Sequence, residues 1–312
     1  MKKISILVCT YNGEDLIRDC LDSILNQSYK NFEILCIDGI SFDNTLDIIK
    51  EYMKKDRRIK LLINKKRLPE GHGNGKWLGF RKARGDIIGI VDQDNVLQEN
   101  KLFEKAVKGL NNDKKLLGVL GGLKHDIRDD SIVRYISLTG TDSFMAYRAI
   151  DFIQNIKKSQ NSIQMQTDNM FLTGGNCFFY RKKDLKDIGG YDQDVFGIKK
   201  LIESGKNKLM IIGGATKHYA EENFSKLIKK KFHWGGKYFE NSGKKFDYFP
   251  RTALERNAFL KNIFFNLLFI PNWYYSIRLY NGSRDLVSFL FPYIAFLNTL
   301  AYGLNFMKSK LS

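Results

Sequence analysis

The sequence is short of acidic residues and of cysteine. Asp and Glu total 34 against 51 Lys and Arg, which leaves a formal net charge of +17. That surplus implies an anionic partner, whether nucleic acid, an acidic membrane surface or a phosphorylated substrate, and does not choose among them. The cysteines are Cys9, Cys20, Cys36 and Cys177, and no two stand at metal-ligand spacing, which excludes a zinc ribbon. Cys9 and Cys36 fall inside apolar runs, so the set reads as buried reduced thiols of a cytosolic compartment rather than disulfides. Internal repeats and low-complexity tracts are lacking, and with them a solenoid architecture. The glycine-rich stretch Glu70–Lys76 precedes a helix but matches neither a dinucleotide fingerprint nor a P-loop, because Trp77 stands where the latter needs Ser or Thr. No small-residue cleavage site follows the apolar run Ile4–Cys9, which ends at Thr10-Tyr11-Asn12. The run therefore reads as a buried first strand and not as a signal peptide, with the catalytic part expected in the cytoplasm.

What is present is an alternation of strand and helix signals over the first 120 residues. Apolar runs at Ile4–Cys9, Glu33–Ile37, Ile59–Ile63 and Ile87–Val91 alternate with helical spacing at Leu16–Leu25, Leu46–Tyr52 and Trp77–Ala83. This pattern predicts a mainly parallel sheet with helices on both faces. Ligands in such sheets bind beyond the carboxyl ends of the strands, where Asn12, Asp38 and Asp92 fall. Residues from about 123 to 169 are more polar and predict a helical or irregular insertion. Met170–Tyr180 reads as a strand broken by a Gly-Gly turn, and Asp184–Ile188 as a short helix.

The strongest local signal is Val91-Asp92-Gln93-Asp94-Asn95, a D-x-D directly after an apolar strand. Two carboxylates on one turn can share a hard cation such as Mg²⁺ or Mn²⁺, whose remaining positions go to phosphate and water. Alone, the same residues also make an ordinary helix-capping loop. They do not stand alone. SILVCTYNGED (Ser5–Asp15), EILCIDGISFDNT (Glu33–Thr45), KARGDIIGIVDQDN (Lys82–Asn95) and FLTGGNCFFYRKKDLKDIGGYDQD (Phe171–Asp194) together resemble the family 2 glycosyltransferases with a GT-A fold.

The resemblance implies a GT-A α/β domain, a nucleotide-sugar donor (a UDP- or GDP-sugar) and Mn²⁺ or Mg²⁺ held by Asp92 and Asp94. Thr10, Tyr11 and Asn12 would line the nucleotide pocket, Asp38 would accept from uracil or ribose, and Asp43 would support that loop. Gly39 stands where the family often has a second acid. Arg84 would be a basic residue close to the nucleotide, Asp92 would also face the nucleotide, and His218 would lie near the metal or diphosphate. Inverting relatives carry a Glu-Asp pair after the Gly-Gly-aromatic-Asp turn; here that region offers Asp194, favoured as catalytic base, and Asp192 second. An anionic phosphate acceptor would need no base, as in the polyprenyl-phosphate glycosyltransferases.

After His218 a basic stretch, Lys226 to Lys245, is interleaved with Phe232, Trp234, Tyr238 and Phe239. Asn262–Ile277 and Leu286–Met307 carry no charged side chain, and the second is long enough to cross a bilayer, which needs ~20 apolar residues. The expected organisation is a catalytic domain over 1–222, divided into a nucleotide-binding half (1–120) and an acceptor-side half (121–222). A hydrophobic helical membrane-associating region over 223–312 follows. The implied activity is inverting transfer to a lipid-linked or cell-envelope glycan acceptor, at an anionic membrane surface on the cytoplasmic face. A nucleotidyltransferase would want a basic glycine-rich signature where Thr10–Asp15 is acidic, and no nucleic-acid motif accompanies the charge, so no nucleic-acid partner is expected.

Overall fold

A computed structural model of the chain describes residues 1–66, 74–139, 162–164, 177–191, 194–219, 224–229, 232 and 253–311. The backbone groups into two compact units: Met1–Lys124 with Ile156–His218, and His125–Asn155 with Tyr219–Ser312.

The first unit is built on one sheet. In chain order its strands are β1 (Ile4–Thr10), β2 (Phe32–Asp38), β3 (Ile59–Ile63), β4 (Ile87–Ile90), β5 (Asn95–Leu97), β6 (Leu116–Leu123), β7 (Ser162–Gln164), β8 (Phe178–Arg181) and β9 (Lys208–His218). They lie in the order β3-β2-β1-β4-β8-β6-β9-β5, with β7 also on β9. Pairing is parallel from β3 through β4, as the alternation predicts, and mixed beyond it, where β8 runs antiparallel to both β4 and β6.

The helices of this unit are α1 (Ile17–Leu25), α2 (Thr45–Lys55), α3 (Gly75–Lys82), α4 (Leu102–Asn112), α6 (Lys182–Asp187) and α7 (Asp194–Glu203), while α5 (Ser131–Thr139) belongs to the second unit. α1 buries Ile17, Cys20, Leu21 and Ile24, which recur at helical spacing, against Ile4, Ile6 and Val8 of β1. α4 brings Phe103 edge-on to Phe32 (5.4 Å) and Phe179 (5.6 Å). α3 approaches the sheet most closely. A Cβ at Gly75 would stand 2.9 Å from Cys9 Sγ and one at Gly79 2.9 Å from Ile37 Cδ1, so the bare backbone sets that spacing.

At the amino ends of the strands Glu33 is buried and accepts from Lys60 Nζ (2.7 Å), Ser5 Oγ (2.8 Å) and the Arg84 amide (2.8 Å). Lys3 Nζ lies 3.5 Å away. Burial pushes this carboxyl up, but those partners outweigh it and hold it at about 2.

The second unit is helical: α5 (Ser131–Thr139), α8 (Ala253–Leu267), α9 (Phe269–Ser283), a 3₁₀ turn (Leu286–Leu290) and α10 (Phe291–Leu311). Asp285 is buried; it caps the 3₁₀ turn through the Val287 amide (3.1 Å) and pairs with Arg134 Nη1 (3.2 Å). His125 Nε2 is 3.3 Å from the same carboxylate. The apolar run from Leu286 is thus one turn plus a helix with Pro292 in its first turn, where its missing N–H costs nothing.

Because its folded pKa is depressed, Glu33 stabilises the fold above the usual 4.5, and that contribution is lost as pH falls from there through about 2. Glu33→Gln should cost about 3 kcal/mol at neutral pH. It should also flatten the acid limb of the stability curve, measured by urea unfolding at pH 7, 4 and 3. An equal pH dependence in both proteins would remove Glu33 as its source.

Candidate active site

Parallel register sets Thr10 beside Asp38 at the ends of β1 and β2. Asp38 is fully buried, and its oxygens accept from Thr10 Oγ1 (2.9 Å), the Ser41 amide (2.8 Å) and Ser41 Oγ (2.6 Å). Its carboxylate therefore holds the turn after β2. That turn carries Ile40 at φ 63°, a strained conformation for a β-branched residue that persists because Asp38 and Ser41 over-determine the loop. Asn12, at φ 46°, donates its amide to Ser41 Oγ (2.9 Å) and accepts the Phe42 amide (3.1 Å).

Asp43 accepts from the Thr45 amide and hydroxyl and from the Glu14 amide (3.1 Å), tying the β1 loop to the start of α2. Burial pushes the Asp43 carboxyl up and these hydrogen bonds outweigh it, leaving it below the usual carboxylate range. Tyr11 is 43% exposed and meets Phe42 edge-on at 6.2 Å, which leaves an aromatic face at the mouth of the two loops.

The second cluster forms where β4 ends. The Asp92 carbonyl accepts the Asn95 amide (3.0 Å), Asn95 Nδ2 (3.3 Å) and Cys20 Sγ (3.6 Å), which pins the D-Q-D turn. β5 then runs antiparallel to β9 with Asn95 opposite His218. This register carries His218 to the turn, where Nδ1 lies 3.4 Å from Asp94 Oδ1. From the other side α3, capped by the Asn74 side chain accepting the Trp77 amide (2.6 Å), places Lys76 Nζ 3.4 Å from Asp92 Oδ1. No disulfide joins the four cysteines, and burial pushes the Cys36 and Cys177 thiols up to about 12, which keeps those two from acting as thiolates.

Thr10, Tyr11, Asn12, Asp38 and Asp43 thus gather at the carboxyl ends of β1 and β2, with Asp92, Asp94 and His218 at the end of β4. Arg84 does not join them. It precedes β4, exposed at the opposite end of the strand, where its amide donates to Glu33 beside Lys3. The expectation that it lies near the nucleotide is corrected on that ground: a residue before a parallel strand sits at its amino end. Asp192 lies outside the described residues, as does the side chain of Asp194, whose backbone opens α7.

Sequence reasoning undervalued Lys76, whose signal was a lysine in the first turn of a helix packed on β1. It also missed β5, three residues without periodicity. Among the described residues no three His, Cys, Asp or Glu side chains gather closely enough to hold an ion by themselves. The donors fit a divalent cation all the same. Such ions take one or two carboxylates and complete their shell with phosphate oxygens and water, and an imidazole suits Mn²⁺.

The described core, a sheet with parallel strands β3-β2-β1-β4 and acidic residues at their carboxyl ends, has the GT-A architecture of glycosyltransferases. A mannosyltransferase from Pyrobaculum calidifontis, solved in complex with GDP-Man and Mn²⁺, superposes with a TM-score of 0.62 over 98% of this chain and 87% of its own, at 16% identity. The model of glycosyl transferase family 2 matches residues 5–189, and the chain belongs to that family. Glycosyltransferase GlyG of Streptococcus pneumoniae is 31% identical over 153 residues, 49% of each chain. The GalNAc(5)-diNAcBac-PP-undecaprenol beta-1,3-glucosyltransferase of Campylobacter jejuni is 29% identical over 166 residues, 51% of this chain and 53% of its own. The chain thus spans about half the length of these curated relatives.

Lys76 beside Asp92 offers a positive charge at the strand ends. Lys76→Met should weaken binding of UDP or GDP about tenfold by calorimetry, the size of one charge-assisted contact. Unchanged affinity would leave the lysine as a partner of Asp92 and nothing more.

Proposed function

We propose that the chain transfers a sugar from a UDP- or GDP-sugar, with inversion, to a lipid-linked or cell-envelope glycan acceptor. The observation that carries this reading is the meeting of Asp94 with His218 (3.4 Å), and of Asp92 with Lys76 (3.4 Å), at the carboxyl ends of parallel strands. Thr10, Tyr11 and Asn12 line the nucleoside end, and Asp38 and Asp43 fix their loop. Asp92 and Asp94, with His218, would hold Mn²⁺ or Mg²⁺. The cation, when bound, would offset the charge that develops on the departing nucleoside diphosphate. Lys76 adds a fixed positive charge on the same side. Asp194, or Asp192 in its place, would take the proton of the acceptor hydroxyl.

Two supports bear on the acceptor and the cellular address. One curated relative is named for an undecaprenol-linked acceptor. The second unit buries polar as well as apolar side chains and leaves large apolar ones exposed. Asn272, Ser276, Ser288 and Asn298 are fully buried, whereas Phe264 (64%), Ile270 (85%) and Leu286 (71%) are exposed. One stretch, Leu286–Asn305, is long and apolar enough to cross a membrane by length and composition. These observations support a membrane surface, and we propose its cytoplasmic face, with basic and apolar residues against anionic lipid. Of the basic-aromatic stretch Lys226 to Lys245, residues 230–231 and 233–245 lie outside the described residues.

The test of transfer is a panel of radiolabelled nucleotide sugars with membrane lipid extract as acceptor, with Mn²⁺, with Mg²⁺ and with EDTA. Transfer from one UDP- or GDP-sugar should require metal and be abolished in Asp94→Ala, with the fold intact by circular dichroism. Asp194→Asn should lower turnover by about 10²–10⁴ with nucleotide binding preserved. Full turnover in EDTA would end the metal assignment. Near-normal rates in both Asp194→Asn and Asp192→Asn would turn the reading to a phosphate acceptor.

Membrane placement is tested separately by fractionation. Full-length protein should stay with membranes in high salt and leave in detergent. Recovery in the soluble fraction at low salt would overturn it.

A further inference from the structure

The middle residue of the D-Q-D turn has no part in the chemistry just described, yet it makes the most specific contact of that turn. Gln93 Oε1 accepts the Tyr11 amide (3.0 Å), and Gln93 Nε2 donates to the Tyr11 carbonyl (3.2 Å). The two bonds fix which end of the amide is which, because the N–H of Tyr11 needs an acceptor and its carbonyl a donor. The side chain pairs with a main-chain residue as a neighbouring strand would. It does so just where strand pairing stops. The β1–β4 ladder ends at Leu7 opposite Ile90, with one further bond from the Val91 amide to the Leu7 carbonyl (3.1 Å). Beyond that point the loop after β1 and the turn after β4 diverge, and the Gln93 amide spans the gap.

The seat for this amide is made by Gly13. A Cβ there would stand 2.6 Å from Gln93 Cδ and 2.9 Å from Nε2, so any side chain at that position would evict the amide. Gly13 lacks the positive φ that would otherwise call for glycine, so the need is for space. On its other flank the same loop is bound to the β2 side. The Gly39 amide donates to the Thr10 carbonyl (2.9 Å), the Asn12 amide to Ser41 Oγ (2.9 Å) and the Gly13 amide to Thr45 Oγ1 (2.8 Å).

We infer that Gln93 is a positioning residue that locks the nucleoside-binding loop Thr10–Gly13 to the cation-binding turn Asp92–Asp94, so that binding at one end is felt at the other. The inference rests on the proposed nucleotide and metal assignments and adds a coupling between them. Tyr11 lies between Thr10 and Asn12, and Gln93 between Asp92 and Asp94. A loop displaced at Tyr11 would therefore misplace both carboxylates relative to the diphosphate. With the clasp made, either ligand orders both loops and lowers the ordering cost left for the other, which is positive coupling between sites.

The experiment is a set of calorimetric titrations of UDP and of GDP, each with and without Mn²⁺, into wild type, Gln93→Ala, Gly13→Ala and the double variant, with melting temperatures alongside. In wild type, Mn²⁺ should tighten one of the two nucleotides at least tenfold. In Gln93→Ala that tightening should fall about tenfold, and Gly13→Ala, which leaves Gln93 in place but fills its seat, should match it. The double variant should be no worse than either, because both remove one contact. A role confined to folding would lower the melting temperature and leave the Mn²⁺ effect at the wild-type ratio. That result overturns the inference, as do additive losses in the double variant. If wild type binds neither nucleotide, the functional reading itself fails and the coupling falls with it. If wild type shows the Mn²⁺ effect and the variants retain it, the coupling alone is wrong.

Discussion

The site depends on one constraint: β1 pairs in parallel with β2 on one side and β4 on the other. Parallel strands bring like ends together, so the loops after Thr10, Asp38 and Val91 open at one edge although they are separated by long stretches of sequence. Each loop then has backbone groups that the ladder no longer satisfies, and a buried polar group without a partner costs about 1–3 kcal/mol. The loops solve this problem through one another. Ser41 and Thr45 hydroxyls accept the Asn12 and Gly13 amides, Asp38 and Asp43 accept amides and hydroxyls, and the Asp92 carbonyl gathers Asn95 and Cys20. The polar residues that a nucleotide would meet are therefore already bound to one another, which keeps their ordering cost low when a ligand arrives.

This arrangement divides the acidic residues into two kinds. Asp38 and Asp43 accept from neighbouring amides and hydroxyls, and Asp38 is wholly buried; they shape backbone. Asp92 and Asp94 remain partly exposed and meet cationic or imidazole nitrogen at 3.4 Å, a separation longer than a hydrogen bond and open to rearrangement around an ion. A carboxylate that holds a loop and one that would meet a cation make opposite demands on solvent access, and the strand ends carry acids of both exposures.

The parallel core was legible because apolar runs of strand length ended in Asp38 and Asp92, and because the intervening helices buried residues at 3.6 spacing. Periodicity cannot show pairing between distant segments. β5 has three residues, and its partner in β9 lies about 120 positions further on, so the register that delivers His218 to Asp94 left no local trace. Arg84 was misread for a related reason. It lies eight positions before Asp92, and at about 3.3 Å per residue an extended strand carries that short interval across most of the sheet. Lys76 showed the reverse effect. It is distant from Asp92 in sequence and its motif matched nothing, yet the glycine contacts that seat α3 on β1 and β2 bring it to the turn.

The helical unit buries polar side chains beside apolar ones and leaves several large apolar ones exposed. The buried positions of α9 and α10 include Asn272, Ser276 and Asn298 beside Leu279, Phe291 and Ile294, while Leu260 (61%) and Phe264 (64%) of α8, Tyr274 (58%) and Met307 (53%) face outward. Burying apolar area contributes about 25 cal/mol per Å², so several such side chains left in water forfeit more than a surface lysine offers. Lysines near an anionic leaflet add about 1 kcal/mol each, and that part is screened by salt. Lys261 and Lys308 are exposed on the same helices. The apolar contribution is the larger one and insensitive to salt, whereas the charge selects which surface is met. Buried polar groups that hydrogen-bond within the unit, such as Ser276 Oγ donating to the Asn272 carbonyl (3.1 Å), suffer no penalty when the outside turns from water to acyl chain. The exposed Leu, Ile and aromatic side chains beside such pairs are the surface that the proposed membrane placement would cover.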